Sequence, residues 1–392
     1  MTAGSWYRLG FIGIAGAACA LVGVSIGAQD PALDLKTAAF ALDAKRYTDA
    51  AKQFAAIGNA TPLIADYAAW YRGQAELGGE NYSAVEEALT PVFGRSPKSP
   101  LEAKAWLLAG QAAEKGNQPQ HAIELLRKHY DALPQPSGDL ALANAYDAAR
   151  DYVSAAMYLQ RIHSGYPMSA EAVQAATRLI QLRFKLGAGF PTEMPAARMG
   201  RAVKLLDGGK IAEARREFVV LAAELGGADR DTARVKIGAA DYQAKSTAAA
   251  LRYLRALQVS SPDADAERLY YLVLCEERNN NAEQVMAELD QLGRLYPSSP
   301  WRLKALTAAA NRYLVTNQID AYEPLYRACY ETFPKSQDAA VCHWKVTWGH
   351  YIRRRDDAVA MLKSHLRSFP QSEAASAALY FLGHKSEEAG NP

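Results

Sequence analysis

The chain has 392 residues, 49% of them hydrophobic and 22% charged, with a formal net charge of +2. That composition is ordinary for a globular protein and supplies enough apolar material for a large core. It gives no reason to expect nucleic acid as a partner: the strongest basic run, Arg353-Arg354-Arg355, is followed at once by Asp356-Asp357 and reads as a solvated turn between helices.

Residues 1–28 are a different kind of sequence. Arg8 is the only charge, Leu9 to Gly27 is apolar and small, and Ser25-Ile26-Gly27-Ala28 offers a small-residue cleavage site before Gln29-Asp30. This pattern predicts a secretory signal peptide over 1–28 and an exported chain. An uncleaved membrane anchor over 9–27 is the rival reading. Cys19 is not expected to be lipidated. Gly16-Ala17-Ala18 before it lacks the usual branched apolar residue, and the apolar run continues past it.

From about Leu33 the sequence alternates between helical stretches and turns. Residues 29–186 read as a first array of helical repeats. Ala44-Lys45-Arg46-Tyr47 marks an early turn, Ser99-Pro100 a helix start, and Tyr166-Pro167-Met168-Ser169 a repeat boundary. Gly187-Ala188-Gly189-Phe190-Pro191 and Pro195 interrupt the period, so 187–200 is expected to be an insertion or hinge. A second array spans 201–392. Its boundaries read Tyr296-Pro297-Ser298-Ser299, Phe333-Pro334-Lys335-Ser336 and Phe369-Pro370-Gln371-Ser372, with prolines 37 and then 36 residues apart.

The copy beginning at Ser299 shows the mechanism. Ser299 and Pro300 are a cap and a favoured first helical residue, and the helix should run to about Leu314. Thr316-Asn317-Gln318 makes the turn, and Asp320 is expected to cap the second helix. Tyr322, Leu325, Tyr326, Cys329, Tyr330 and Phe333 fall on one face of that helix by their spacing of three and four. Pro334 ends it. One such pair cannot bury its apolar face alone, so copies must stack. No stretch alternates with period two, so no sheet is expected. The reading is an all-α, tetratricopeptide-like α-solenoid with roughly 75% helix, far above the globular average of about a third. The chain stops at Gly390-Asn391-Pro392, where earlier units open a second helix, so residues that once followed are expected to be missing.

The inventory of reactive residues contains no catalytic, cofactor or metal site. The seven histidines show no metal-ligand spacing, and His343 and His350 are expected at a surface or groove. There is no Gly-rich phosphate loop and no nucleophile elbow. The acidic pairs Glu86-Glu87, Glu276-Glu277 and Glu387-Glu388 are neighbours on helices, where side chains diverge by about 100°, so they share no pocket. Trp344, Trp348 and Tyr351 form a helical stripe. It reads first as packing between repeats, and second as an aromatic wall touching a sugar or peptide.

Cys329 and Cys342 flank the Pro334 turn at about the same height on two helices. An exported chain meets an oxidising compartment, where they could bridge. A bridge needs Cα atoms within about 7 Å, whereas helix axes lie about 8–10 Å apart. Buried thiols side by side are therefore the stronger alternative. Cys275 is unpaired under either.

Residues 298–391 resemble the N-terminal superhelical region of soluble lytic murein transglycosylases. The resemblance rests on Tyr326 through Phe333-Pro334-Lys335-Ser336, on Trp344-Lys345-Val346-Thr347-Trp348 with Tyr351, on Phe369-Pro370-Gln371-Ser372, and on Ala378-Leu379-Tyr380-Phe381-Leu382-Gly383 with Glu387-Glu388-Ala389-Gly390. Phe381 and His384 stand where the family has Trp and Arg. Residues 30–297 match only as a helical array. The resemblance implies a periplasmic scaffold that shapes access to glycan strands. The family's catalytic glutamate lies in a Glu-Ser motif of a lysozyme-like domain. This sequence has no Glu-Ser, so no catalytic residue carries over and this chain is expected not to be an enzyme. The other reading is a stand-alone exported tetratricopeptide protein that binds envelope proteins. Partners are thus envelope proteins or peptidoglycan, with membrane contact only through an uncleaved N-terminal segment.

Overall fold

A computed structural model describes residues 31–390. The signal-peptide and anchor readings of the first 28 residues, and the question of Cys19, lie outside the described residues. The chain divides into two compact units between Met194 and Pro195.

In the first unit the helices are α1 (Pro31–Asp43), α2 (Tyr47–Ala60), α3 (Ala65–Gly78), α4 (Tyr82–Ala88), α5 (Thr90–Phe93), α6 (Glu102–Lys115), α7 (Pro119–Lys128), α8 (Ser137–Ala148), α9 (Tyr152–Gly165) and α10 (Ala170–Leu186). In the second they are α11 (Pro195–Asp207), α12 (Ile211–Glu224), α13 (Gly227–Gln243), α14 (Thr247–Ala256), α15 (Pro262–Arg278), α16 (Ala282–Leu295), α17 (Pro300–Val315), α18 (Ile319–Thr332), α19 (Gln337–Ile352), α20 (Ala358–Ser368) and α21 (Ala375–Glu388). No strand occurs among the described residues. The architecture is all-α, a tetratricopeptide-like stack of helix–turn–helix repeats within each unit.

One turn recurs throughout. Lys45, Glu80, Asn117, Arg150, Gly209, Lys245, Asn280, Asn317 and Arg354 each have φ between 54° and 79°. Each lies between the first and second helix of a pair. In each, the left-handed residue's N–H donates to the carbonyl three residues back, and the next N–H donates to the carbonyl five back, as in Asn317 to Leu314 and Gln318 to Tyr313. This Schellman closure satisfies the last carbonyls of the first helix and sends the chain back along it.

Packing repeats as well. A small residue on the first helix lies sixteen positions before a large one on the second: Gly73 and Leu89, Gly110 and Leu126, Ala143 and Leu159, Ala202 and Phe218, Gly238 and Leu254. A Cβ added at Gly110 or Gly238 would stand 2.4 Å from the facing leucine, so these helices touch backbone to side chain. Bulk on one helix and its absence on the other let the pair close to interior density.

Several boundaries differ from expectation. Asp320 sits in the first turn of α18, and the cap position is Gln318. Ser299 and Ser336 do cap α17 and α19, accepting from Trp301 and Ala339 N–H. Ser372 does not cap α21; its hydroxyl lies 3.0 Å from His365 Nε2, and the helix starts three residues later. A buried imidazole offers Ser372 a competing partner, and the capping geometry is lost. Residues 195–200 are helical, so the non-helical break is only 190–194, after a 3₁₀ turn at Gly187–Gly189.

Cys329 and Cys342 form a disulfide with Cα atoms 6.4 Å apart, while Cys275 is free and buried. The reading that favoured side-by-side thiols measured between helix axes. Residues on facing sides approach by up to two helix radii of about 2.3 Å each, which brings facing Cα atoms into bonding range. Reducing this bridge, or replacing both cysteines by serine, should lower stability by at most about 3 kcal/mol, as expected for so short a loop. Thermal melts with and without a thiol reductant measure this; an unchanged midpoint would show that the bridge adds nothing.

Candidate functional site

The first helices α13, α15 and α17 pack side by side in the second unit. They bring together residues that the sequence reading did not single out. Lys236 on α13 pairs with Glu267 on α15 at 2.5 Å. Lys236 Nζ also stands 5.3 Å, and Lys304 Nζ 4.2 Å, from the ring centre of Trp301 on α17. Tyr270 on α15 lies 5.5 Å from the same indole, centre to centre. Two ammonium groups thus share one aromatic ring and one buried carboxylate. Burial raises the Glu267 carboxyl, against the pull of Lys236. Lys304 is exposed and Trp301 half-buried. The exposed Lys304 ammonium beside aromatic surface suits an acidic or aromatic group presented from outside.

Nearly three helical turns along α15 from Glu267, Glu277 has the opposite character. Burial pushes its carboxyl up to about 7, with Arg312 opposing. Its Oε1 is buried without a hydrogen-bond partner. Its neighbour Glu276 turns away to Arg255 on α14 and to Asn281. Adjacent helical carboxylates do diverge here, each into its own surroundings.

The two histidines expected at a surface or groove are buried instead. His343 and His350 are only 4% and 2% exposed. His343 Nδ1 lies 3.2 Å from His365 Nδ1 and 3.1 Å from Thr347 Oγ1. Burial, then His365 and Arg327, hold the His343 imidazole down at about 4. His350 lies between two carboxylates, with Nδ1 2.7 Å from Asp357 and Nε2 3.0 Å from Glu323. Burial alone would raise Glu323, but hydrogen bonds from His350 and Arg327 outweigh it and bring its carboxyl below its ordinary range. The sequence expectation considered only partners one turn away on the same helix, whereas both carboxylates come from other segments. No group of three or more metal-ligating side chains occurs among the described residues.

The aromatic stripe is assembled as spaced. Trp344 and Trp348 stack at 5.9 Å, and Trp348 and Tyr351 at 5.4 Å. Phe381 on α21 lies 4.8 Å from Trp348 and 4.7 Å from Tyr351, and His365 lies 5.4 Å from Trp344. All three rings are half-buried. The stripe is a contact between successive repeats with one side still accessible.

No protein-family model matches the sequence, and no curated protein matches it significantly. Among solved structures it is similar to a chain of the APC/C hetero-tetramer Cut9–Hcn1, at 12% identity, 90% of this chain, 96% of that one and a TM-score of 0.28. Human IFIT1, as a dimer with PPP-AAAA, matches at 12% identity, 93% of this chain, 84% of that one and a TM-score of 0.34. The tetratricopeptide domain of P58(IPK) matches at 15% identity, 92% of this chain, 99% of that one and a TM-score of 0.26. Superpositions this loose carry no argument, and the repeat assignment rests on the chain's own turns and helix pairing.

Proposed function

We propose that this chain is a non-catalytic helical-repeat scaffold, exported to the periplasm, that binds a protein partner through the first-helix face of its second unit. The observation that carries the reading is the cluster of Lys236, Tyr270, Trp301 and Lys304 on three successive helices. It combines the aromatic anchor and satisfied charge that binding hot spots use. The resemblance of residues 298–391 to the superhelical part of murein transglycosylases supports an envelope setting. The peptidoglycan reading draws on the accessible side of the Trp344–Trp348–Tyr351 stripe, whose other side packs against His365 and Phe381.

The test is site-specific photo-crosslinking of the full chain in its native host. A crosslinker at Lys304 should give a discrete protein adduct that disappears in Trp301→Ala, and one at Arg294, exposed on second helix α16, should give none. Equal adducts at both positions would defeat the proposal. So would retention of the purified chain on peptidoglycan sacculi that depends on Trp344 and Trp348, which would favour the glycan reading.

A further inference from the structure

A cavity of about 440 Å³ opens in the first unit, where the end of α7 meets α9. Its lining includes Arg127, Lys128, Tyr130, Asp131, Tyr158 and Arg161. That volume lies within the range of about 300–1,000 Å³ typical of small-molecule sites. Three cations face the exposed carboxylate of Asp131, and the buried Asp139 offsets Arg161 from beneath, so the lining has one positive charge in excess.

Arg161 is the informative member. Its guanidinium donates to the Tyr130 hydroxyl, which in turn donates to Asp139 Oδ1 at 2.6 Å. Arg161 Nε stands 3.5 Å from Asp139 Oδ2. Asp139 is 2% exposed, and its backbone N–H donates to Gln135 Oε1. The guanidinium lies over both tyrosine rings, 5.1 Å and 5.6 Å from their centres. Yet the Arg161 side chain is 55% exposed. A buried network therefore holds one side of the fork and presents the rest to the cavity. Arg127 and Lys128 occupy the last turn of α7, where cations also favour the helix end. That preference does not account for Arg161, which comes from another helix.

We propose that this cleft is a binding site for a small phosphate ester. The cationic lining suits an anion, and a preorganised guanidinium with two flexible cations beside it is the chemistry that recognises phosphate oxygens. The tyrosine rings would carry the ester's organic part, and they favour a planar one. This site is independent of the protein-binding face in the second unit.

Calorimetric titration of the full chain with phenyl phosphate and with inorganic phosphate, in about 0.15 M salt so that loose surface charges are screened, tests this. Phenyl phosphate should bind saturably at one site with a Kd of about 1 mM or tighter, and inorganic phosphate more weakly. Arg161→Gln should weaken binding about tenfold or more. Because that change also touches Tyr130 and Asp139, a second variant, Lys128→Gln, removes an exposed cation tied to the fold only by the weak helix-end preference, and it should weaken binding severalfold with little change in the melting midpoint. No saturable binding of phenyl phosphate, or equal affinity in the native chain and both variants, would overturn the site.

Discussion

Replacing Glu277 with Gln should stabilise the chain near pH 8 and uncover a loss of stability on acidification that the native sequence masks. Two buried groups in the second unit titrate in opposite senses. His343 has its imidazole held at about 4 against an ordinary 6.5. Above 6.5 it is neutral whether the chain is folded or not, and its contribution is whole. Between 6.5 and about 4 the unfolded chain takes up a proton that the folded chain refuses, so stability falls with pH and then levels. The gap corresponds to a ceiling of about 3 kcal/mol. His365, lowered by burial, acts in the same direction.

Glu277, raised from 4.5 to about 7, does the reverse. Its contribution is whole below 4.5 and is lost as pH rises through 7, because the carboxyl must then ionise with its own Oε1 buried and unpartnered. Partial exposure reduces its share to about 1–2 kcal/mol. Urea unfolding at pH 7.5 and pH 5.0 separates the two. Glu277→Gln should steepen the loss on acidification. His343→Leu should turn that loss into a gain, and the substitution suits the site because Leu306 stands at the same place, seven residues after Ser299, as His343 does after Ser336. Equal slopes in all three proteins would refute the assignment.

The second large effect concerns helix contact. Gly238→Ala should cost about 1–3 kcal/mol, because the new methyl meets Leu254 Cδ2 at 2.4 Å and Cγ at 2.6 Å. Leu254→Ala should cost about 2–5 kcal/mol by leaving a cavity at a fully buried position. Combined, the two should cost clearly less than their sum, since the alanine methyl enters space the leucine has left. A double-mutant cycle by urea denaturation measures this. Strict additivity would mean that the paired helices do not meet through these two residues.

The sequence by itself determined the architecture. Proline-ended second helices at a period near 36, serine caps at Ser299 and Ser336, and aromatic stripes spaced by three and four are local signals. Each acts within a few residues, so each is visible in one dimension. The left-handed turns were less legible, although they recur in every pair. Only Gly209 and three asparagines announce such a conformation, while Lys45, Glu80, Arg150, Lys245 and Arg354 adopt it because closing the first helix's carbonyls outweighs a local strain of about 1–2 kcal/mol. What surrounds each side chain was decided only by tertiary structure. His343 and His350 were read from their own helix, and α20 and segments around Glu323 and Asp357 buried them. Glu267 and Lys236 are 31 positions apart, and Trp301 comes from the next repeat. The cavity at Arg161 depends on Asp139 from its partner helix α8 and on Tyr130 from the segment between α7 and α8. Burial and charge are sums over neighbours in space, and stacked repeats draw those neighbours from one period away, where no short pattern marks them.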